Sequence, residues 1–152
     1  MARILVVDDD PVFAAMLSFD LLRSGHRPMV ARDARSALAA LESNARIEVV
    51  VTDIMMPDMD GIELVRAIRA RSLVLPIVAL SSGGARLFPN VLSAARALGA
   101  DRALYKPVSA TIIGSTIRDL LKMGHGALAI DGTASVETCA PACDPMTSKG
   151  NA

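Results

Sequence analysis

Val49-Val50-Val51-Thr52-Asp53-Ile54-Met55-Met56-Pro57-Asp58-Met59-Asp60-Gly61 decides how this chain folds. It opens as an apolar, β-branched run, the composition of a strand buried on both faces of a parallel sheet. The run stops at a carboxylate, Asp53. A turn built from Pro57, Asp58, Asp60 and Gly61 follows, and then a helical pattern in which Leu64, Val65 and Ile68 face inward. A carboxylate at the carboxyl end of a central strand stands where open α/β sheets place their active sites.

The same pattern repeats on either side. Ile4-Leu5-Val6-Val7 is a second continuous apolar run, and it ends in Asp8-Asp9-Asp10. Asp10 is placed to cap a helix that has Pro11 at its first position and Phe13, Leu17 and Leu21 on its buried face; Gly25 closes it. His26 to Arg32 is a mixed, weaker strand. Asp33 caps the next helix, whose inner face is Ala34, Ala37, Leu38 and Leu41, and the strand that carries Asp53 starts at Ile47. Asp60 is expected to cap the third helix. Pro76 introduces Ile77-Val78-Ala79-Leu80, which ends in Ser81. Val91, Leu92, Ala95 and Leu98 mark a fourth helix, stopped by Gly99. Asp101 to Tyr105 is a second mixed strand and runs into Lys106-Pro107. Ser109 caps a last helix, buried through Ile112, Ile113, Thr116, Ile117, Leu120 and Leu121 and ended by Gly124.

Five strands alternating with five helices predict a doubly wound parallel sheet with helices on both faces. The three continuous apolar strands belong in the centre and the two mixed ones at the edges. The flavodoxin-like (βα)5 order 2-1-3-4-5 meets both conditions. The domain spans 1–124. Beyond it, residues 125–152 are rich in Gly, Ala, Ser, Thr and Pro without helical or strand periodicity, and read as a disordered tail that folding does not need.

Composition narrows the function. The 152 residues carry 16 basic and 16 acidic side chains, so no electrostatic footprint for nucleic acid is evident. No apolar run reaches the roughly 20 residues of a membrane span, and the triple aspartate comes too early for a signal peptide, which makes the cytoplasm the expected location. Cys139 and Cys143 do not supply the four ligands of a zinc site. His26 and His125 look incidental.

Four strand ends are polar: Asp8/Asp9/Asp10, Asp53, Ser81 and Lys106. In a parallel sheet they share one edge. Asp8, Asp9 and Asp53 would then repel one another unless a hard divalent cation joined them, and Mg²⁺ suits a site that combines carboxylates, waters and a phosphate. Lys106 adds a second positive charge and Ser81 a hydroxyl. A carboxylate, a Mg²⁺ site, a Lys and a Ser converging on one point describe a phosphoryl-transfer site.

Through Val6-Val7-Asp8-Asp9-Asp10-Pro11, Thr52 to Gly61, Pro76 to Ser81 and Lys106-Pro107, the chain resembles the receiver domain of two-component response regulators over about residues 2–123. The resemblance implies that Asp53 accepts a phosphoryl group from a phosphohistidine of a sensor kinase or phosphotransfer protein. It implies that Asp9 and Asp53 hold Mg²⁺ with the backbone carbonyl of Met55, that Asp8 helps through water, and that Ser81 and Lys106 contact the phosphoryl group. The bond before Pro107 is expected to be cis. The chain reads as a stand-alone signalling module, acting on downstream proteins or as a relay intermediate, that catalyses only its own phosphorylation and dephosphorylation. One departure stands out: Ala103 occupies the place of the family's usual aromatic switch residue. The expected output surface is therefore Ser82 to Phe88, the fourth helix and Tyr105. The alternative reading is a phosphatase resembling the haloacid dehalogenase superfamily, with Asp8 in Asp8-Asp9-Asp10-Pro11-Val12 as nucleophile.

Overall fold

Alternating faces build this domain. The computed structural model describes residues 1–43, 46–57, 61–82 and 90–123. Its strands are β1 (Arg3–Val7), β2 (Arg27–Ala31), β3 (Val49–Asp53), β4 (Ile77–Ser81) and β5 (Arg102–Tyr105). Its helices are α1 (Pro11–Arg23), α2 (Ala34–Glu42), α3 (Gly61–Arg71), α4 (Val91–Ala97) and α5 (Ala110–Met123). The strands pair in parallel in the order β2-β1-β3-β4-β5, the order expected from their composition. Every residue of β3 and β4 is buried, whereas the edge strands β2 and β5 are largely half-buried or exposed.

Successive strand side chains point to opposite faces, so each central strand feeds two cores. Leu5, Val7, Val50, Ile77 and Ala79 meet α2, α3 and α4 on one face. Ile4, Val6, Val49, Val51, Val78 and Leu80 meet Ala14, Leu17 and Leu21 of α1 and Ile113, Ile117 and Leu120 of α5 on the other. Each large aliphatic side chain enclosed in this way contributes about 1.5–3 kcal/mol.

The caps follow the sequence. Asp10 accepts from the Val12 amide at 2.9 Å, and Asp33 Oδ1 accepts from the Ser36 amide at 2.6 Å and the Ser36 hydroxyl at 2.8 Å. Ser109 Oγ accepts from the Ile112 amide at 3.3 Å. Gly25 follows the C-cap of α1 with φ +81°, a backbone that side chains resist.

Several expectations need correction. β2 covers Arg27–Ala31 rather than 26–32, and β3 begins at Val49, with Ile47 only half-buried in the approach. Ile112 is 50% exposed: the α5 stripe runs through Ile113, Ile117 and Leu120, and Ile112 falls one helical step off its axis. Leu98 is 38% exposed because it is the C-cap of α4, past the last turn that packs. Phe13 is half-buried, and Ala14 takes the enclosed position beside Leu17. The expected cap Asp60, the stop at Gly124, the loop from Gly83 to Phe88, His125 and the tail 125–152 lie outside the described residues.

At the amino end of the sheet, a network absent from the sequence reading ties three elements together. Arg69 of α3 donates through Nε to the Gly99 carbonyl at 2.8 Å and through Nη1 to the carbonyls of Leu75 at 2.6 Å and Ser72 at 3.3 Å. Its Nη2 pairs with Asp101 Oδ2 at 2.7 Å, and that oxygen also accepts from the Ile77 amide at 2.7 Å. The planar five-donor fork of Arg suits such a site, where a Lys would leave acceptors unmet.

Candidate functional site

Because all five strands run the same way, their carboxyl ends share an edge, and the polar residues that stop the apolar runs gather there. Asp8 follows β1, Asp53 ends β3, Ser81 ends β4 and Lys106 follows β5. Asp8, Asp53 and Ser81 are buried; Asp9 is exposed.

Lys106 joins the two buried carboxylates. Its Nζ donates to Asp8 Oδ2 at 2.6 Å and to Asp53 Oδ2 at 2.8 Å, across a sequence separation of 98 residues in the first case. The remaining oxygens are held by the backbone. Asp8 Oδ1 accepts from the Asp10 amide at 2.9 Å, and Asp53 Oδ1 accepts from the Met55 amide at 3.0 Å. The Lys106 amide donates to the Ser81 carbonyl at 2.8 Å, which carries β5 ladder geometry through to the lysine, and the Lys106–Pro107 peptide is cis as expected.

The electrostatics follow from burial. Loss of solvent pushes the Asp8 carboxyl above its usual pKa, against the pull of the Lys106 ammonium and the Asp10 amide. Burial alone would lower the Lys106 pKa, but its hydrogen bonds to Asp53 and Asp8 outweigh it and raise the value, so the ammonium stays charged. One lysine is thus shared by two buried carboxylates.

The donor set suits a hard cation. One oxygen from each of Asp8, Asp9 and Asp53 can be chosen so that all lie within 4.8 Å of one another. An octahedral ion with bonds of about 2.1 Å holds its ligands about 3 to 4.2 Å apart, so binding a Mg²⁺ would draw these carboxylates closer together. Ser81 Oγ is buried and has no hydrogen-bond partner among the described residues.

Two close approaches shape the edge. An added Cβ on Gly61 would stand 2.0 Å from the Asp53 carbonyl oxygen and 2.6 Å from Ile54 Cα, so the first turn of α3 rests directly on the end of β3. The Gly61 amide donates to the Ile54 carbonyl at 2.9 Å, and the Ile54 amide to the Leu80 carbonyl at 2.8 Å. The glycine read as a turn residue is in fact a packing requirement that places Asp53. The second approach was also missed. Phe13 of α1 lies with its ring centroid 4.0 Å from Lys106 Nζ. The periodicity of α1 assigns Phe13 to the core, and no sequence signal links it to the lysine that follows β5.

The other expected positions are also accounted for. Ala103 lies beside Ala79 in the β4–β5 register and packs on the α2–α4 face, while Tyr105 pairs with Ser81 and is half-buried. Among the described residues, no helix is long and apolar enough to cross a membrane.

Known proteins resemble this chain in sequence and in fold. The response regulator receiver domain profile matches residues 4–118. The chain is 33% identical over 120 residues to the alkaline phosphatase synthesis transcriptional regulatory protein PhoP of Bacillus subtilis, covering 79% of this chain and 48% of that protein. It is 30% identical over 127 residues to a chemotaxis protein CheY homolog of Campylobacter jejuni, covering 82% of this chain and 95% of that one. The crystal structure of the chemotaxis response regulator CheY4 of Vibrio cholerae superposes with a TM-score of 0.70 at 32% identity, over 79% of this chain and 98% of that one. The chain spans about half the length of PhoP and of the Mycobacterium tuberculosis regulator TcrX. A match that begins at Ile4 in β1 and ends at Arg118 in α5 takes in all four polar strand ends, and the chain therefore belongs to the response regulator receiver domain family.

Proposed function

We propose that Asp53 accepts a phosphoryl group from a phosphohistidine of a sensor histidine kinase or a histidine phosphotransfer protein, and that the phosphorylated domain then signals by binding a partner or by passing the group on. The observation that carries this reading is the Lys106 ammonium held between Asp8 at 2.6 Å and Asp53 at 2.8 Å, beside a third carboxylate.

In the step, a carboxylate oxygen of Asp53 attacks phosphorus. The P–N bond to the donor imidazole breaks, its electron pair stays on that nitrogen, and an acyl phosphate forms on Asp53. Asp8, Asp9, Asp53 and the Met55 carbonyl would hold Mg²⁺, which when bound supplies charge neutralisation to the phosphoryl oxygens. Asp53 Oδ1 is steered by the Met55 amide, which leaves Oδ2 as the oxygen that must exchange its lysine bond for a bond to phosphorus. Lys106 then follows the new negative charge onto a phosphoryl oxygen, and the orphan Ser81 hydroxyl donates to another. Hydrolysis of the acyl phosphate by water returns the carboxylate, so the domain acts catalytically only on itself. An apolar ridge on α1, formed by the exposed Val12, Met16 and Phe19 next to Asp10, offers a docking face for the protein that brings the phosphohistidine.

The test is intact-mass spectrometry after incubation with a small acyl phosphate, with Mg²⁺ or with chelator, followed by mapping of the modified aspartate. One added phosphoryl group on Asp53, dependent on Mg²⁺, is the expected result. Phosphorylation of Asp53→Asn at the wild-type level refutes it, and a phosphoryl group on Asp8 would favour the phosphatase reading instead.

A further inference from the structure

The Lys106 ammonium has three flanks, and carboxylates take only two. Nζ bonds Asp8 and Asp53, and the remaining side faces the ring of Phe13, whose centroid is 4.0 Å away. That is well inside the distance of about 6 Å at which an aromatic face attracts a cation. Phe13 sits in the first turn of α1, just past the aspartate run, and packs against the α1–α5 core. One side of the ring is thus anchored in aliphatic side chains while the other faces the ammonium.

We propose that Phe13 is the positioning residue for Lys106, holding the ammonium at the site while its carboxylate partners change. The oxygens that bond Lys106 belong to Asp8 and Asp53, two of the three carboxylates that would hold a divalent cation. An arriving cation draws on both. Phosphorylation of Asp53 would also convert one of them into an acyl phosphate and move the negative charge outward. At either moment a lysine tethered by carboxylates alone is free to swing out on its flexible four-carbon stem. The ring has no charge to surrender and no proton to lose, so its attraction persists through both exchanges.

Two consequences of opposite sign follow. Lys106 competes with the divalent cation, so loosening the lysine should tighten cation binding. Lys106 also meets the incoming phosphoryl group, so loosening it should slow phosphorylation. This second consequence rests on the reading under Proposed function; the contact and the competition do not.

The experiment compares wild type with Phe13→Leu, which keeps an apolar side chain in the core, and Phe13→Tyr, which keeps the ring. In wild type, the Cε protons of Lys106 should resonate upfield of free lysine through the ring current, an effect lost in Phe13→Leu and kept in Phe13→Tyr. Isothermal titration should show Mg²⁺ binding to unphosphorylated Phe13→Leu about 3-fold tighter or more. The rate of phosphorylation by a small acyl phosphate at saturating Mg²⁺ should fall about 3- to 10-fold, in the range of a partly desolvated cation–ring contact. Phe13→Tyr should stay within about 2-fold of wild type in both. An unshifted Lys106 in wild type overturns the proposal. So do changes of the same sign, or none, in Phe13→Leu, and so does failure of Phe13→Tyr to retain wild-type behaviour. If wild type accepts no phosphoryl group at all, the receiver chemistry fails, while the ring-current shift and the Mg²⁺ titration still decide whether Phe13 positions Lys106.

Discussion

Replacing Gly61 by alanine tests whether α3 places Asp53. Helix propensity alone predicts a gain, because alanine is favoured over glycine in a helix by about 1 kcal/mol. The structure predicts the reverse. The new methyl would meet the Asp53 carbonyl oxygen at 2.0 Å, Ile54 Cα at 2.6 Å and the Asp53 carbonyl carbon at 2.8 Å. Ordinary contacts between such atoms begin above about 3 Å, so α3 and the end of β3 must part by about 1 Å. All three obstructing atoms are backbone, and no rotamer change relieves them. The end of β3 is itself tied to β4 through the Ile54 amide and the Leu80 carbonyl.

Over-packing of this kind costs about 1–3 kcal/mol, and the bond from the Gly61 amide to the Ile54 carbonyl, stretched or lost, adds about 1 kcal/mol. Together these give about 3 kcal/mol, equivalent to a fall of roughly 10 °C in the midpoint for a domain of this size. Gly25→Ala is the control. Gly25 has φ +81° and nothing within 4 Å of an added Cβ, so only the left-handed backbone is penalised, at about 1 kcal/mol. Urea and thermal unfolding of both variants, followed by circular dichroism, give the comparison. Phosphorylation of Gly61→Ala should also slow, because the Asp53 carboxylate shifts with its backbone. A Gly61→Ala protein no less stable than Gly25→Ala would refute the reasoning.

Two further outcomes are expected. Ser81→Ala should stabilise the unphosphorylated protein by about 1 kcal/mol in urea unfolding, since it removes a buried hydroxyl that has no partner among the described residues, and should reduce the extra stability gained on phosphorylation. For His26, burial, the nearby amino terminus and Arg118 hold the imidazole pKa below its ordinary 6.5. The unfolded chain therefore binds the proton more readily, and stability should fall as pH drops below about 6.5 towards the native pKa; in His26→Gln the slope of unfolding free energy between pH 7 and pH 5 should flatten.

Much of this domain was legible because its signals are local. A strand buried on two faces must be apolar until it leaves the sheet, so Val49 to Asp53 and Ile4 to Asp8 announce both the strand and the polar edge where it ends. The mixed composition of Arg27–Ala31 and Arg102–Tyr105 marks the edges, and from these the strand order follows. Caps such as Asp10 and Asp33 act within three residues of their partners and are equally readable. What escaped depends on partners far apart in the chain. Phe13 has the spacing of a core residue, and only the position of β5 shows that its ring meets Lys106. Arg69 looks like any exposed helical arginine until the loop before β5 brings Gly99 and Asp101 to it. Ile112 misled because an apolar residue beside a helical stripe differs from one within it only by a rotation of 100°, which packing against β1 and β3 fixes and composition does not.

The two ends of the sheet divide the work of stability and chemistry. At the amino end, Arg69 and Asp101 satisfy one another and four backbone groups, and every bond there serves only to hold α3, β4 and β5 in register. At the carboxyl end, two buried carboxylates share one ammonium beside a third carboxylate, Asp8 is burdened by burial, and a buried hydroxyl has no partner among the described residues. Such groups cost free energy wherever they are not met by a partner. On the proposed function, a cation and a phosphoryl group would supply those partners, and the free energy released on filling the site would then be available to favour a phosphorylated conformation. It can do so only if the sheet itself does not yield, and the tight backbone contacts at Gly61 together with the Arg69 network provide that resistance. A domain that yielded at both ends would lose that coupling, since the unmet groups at the site could be relieved by moving β3 rather than by binding phosphate.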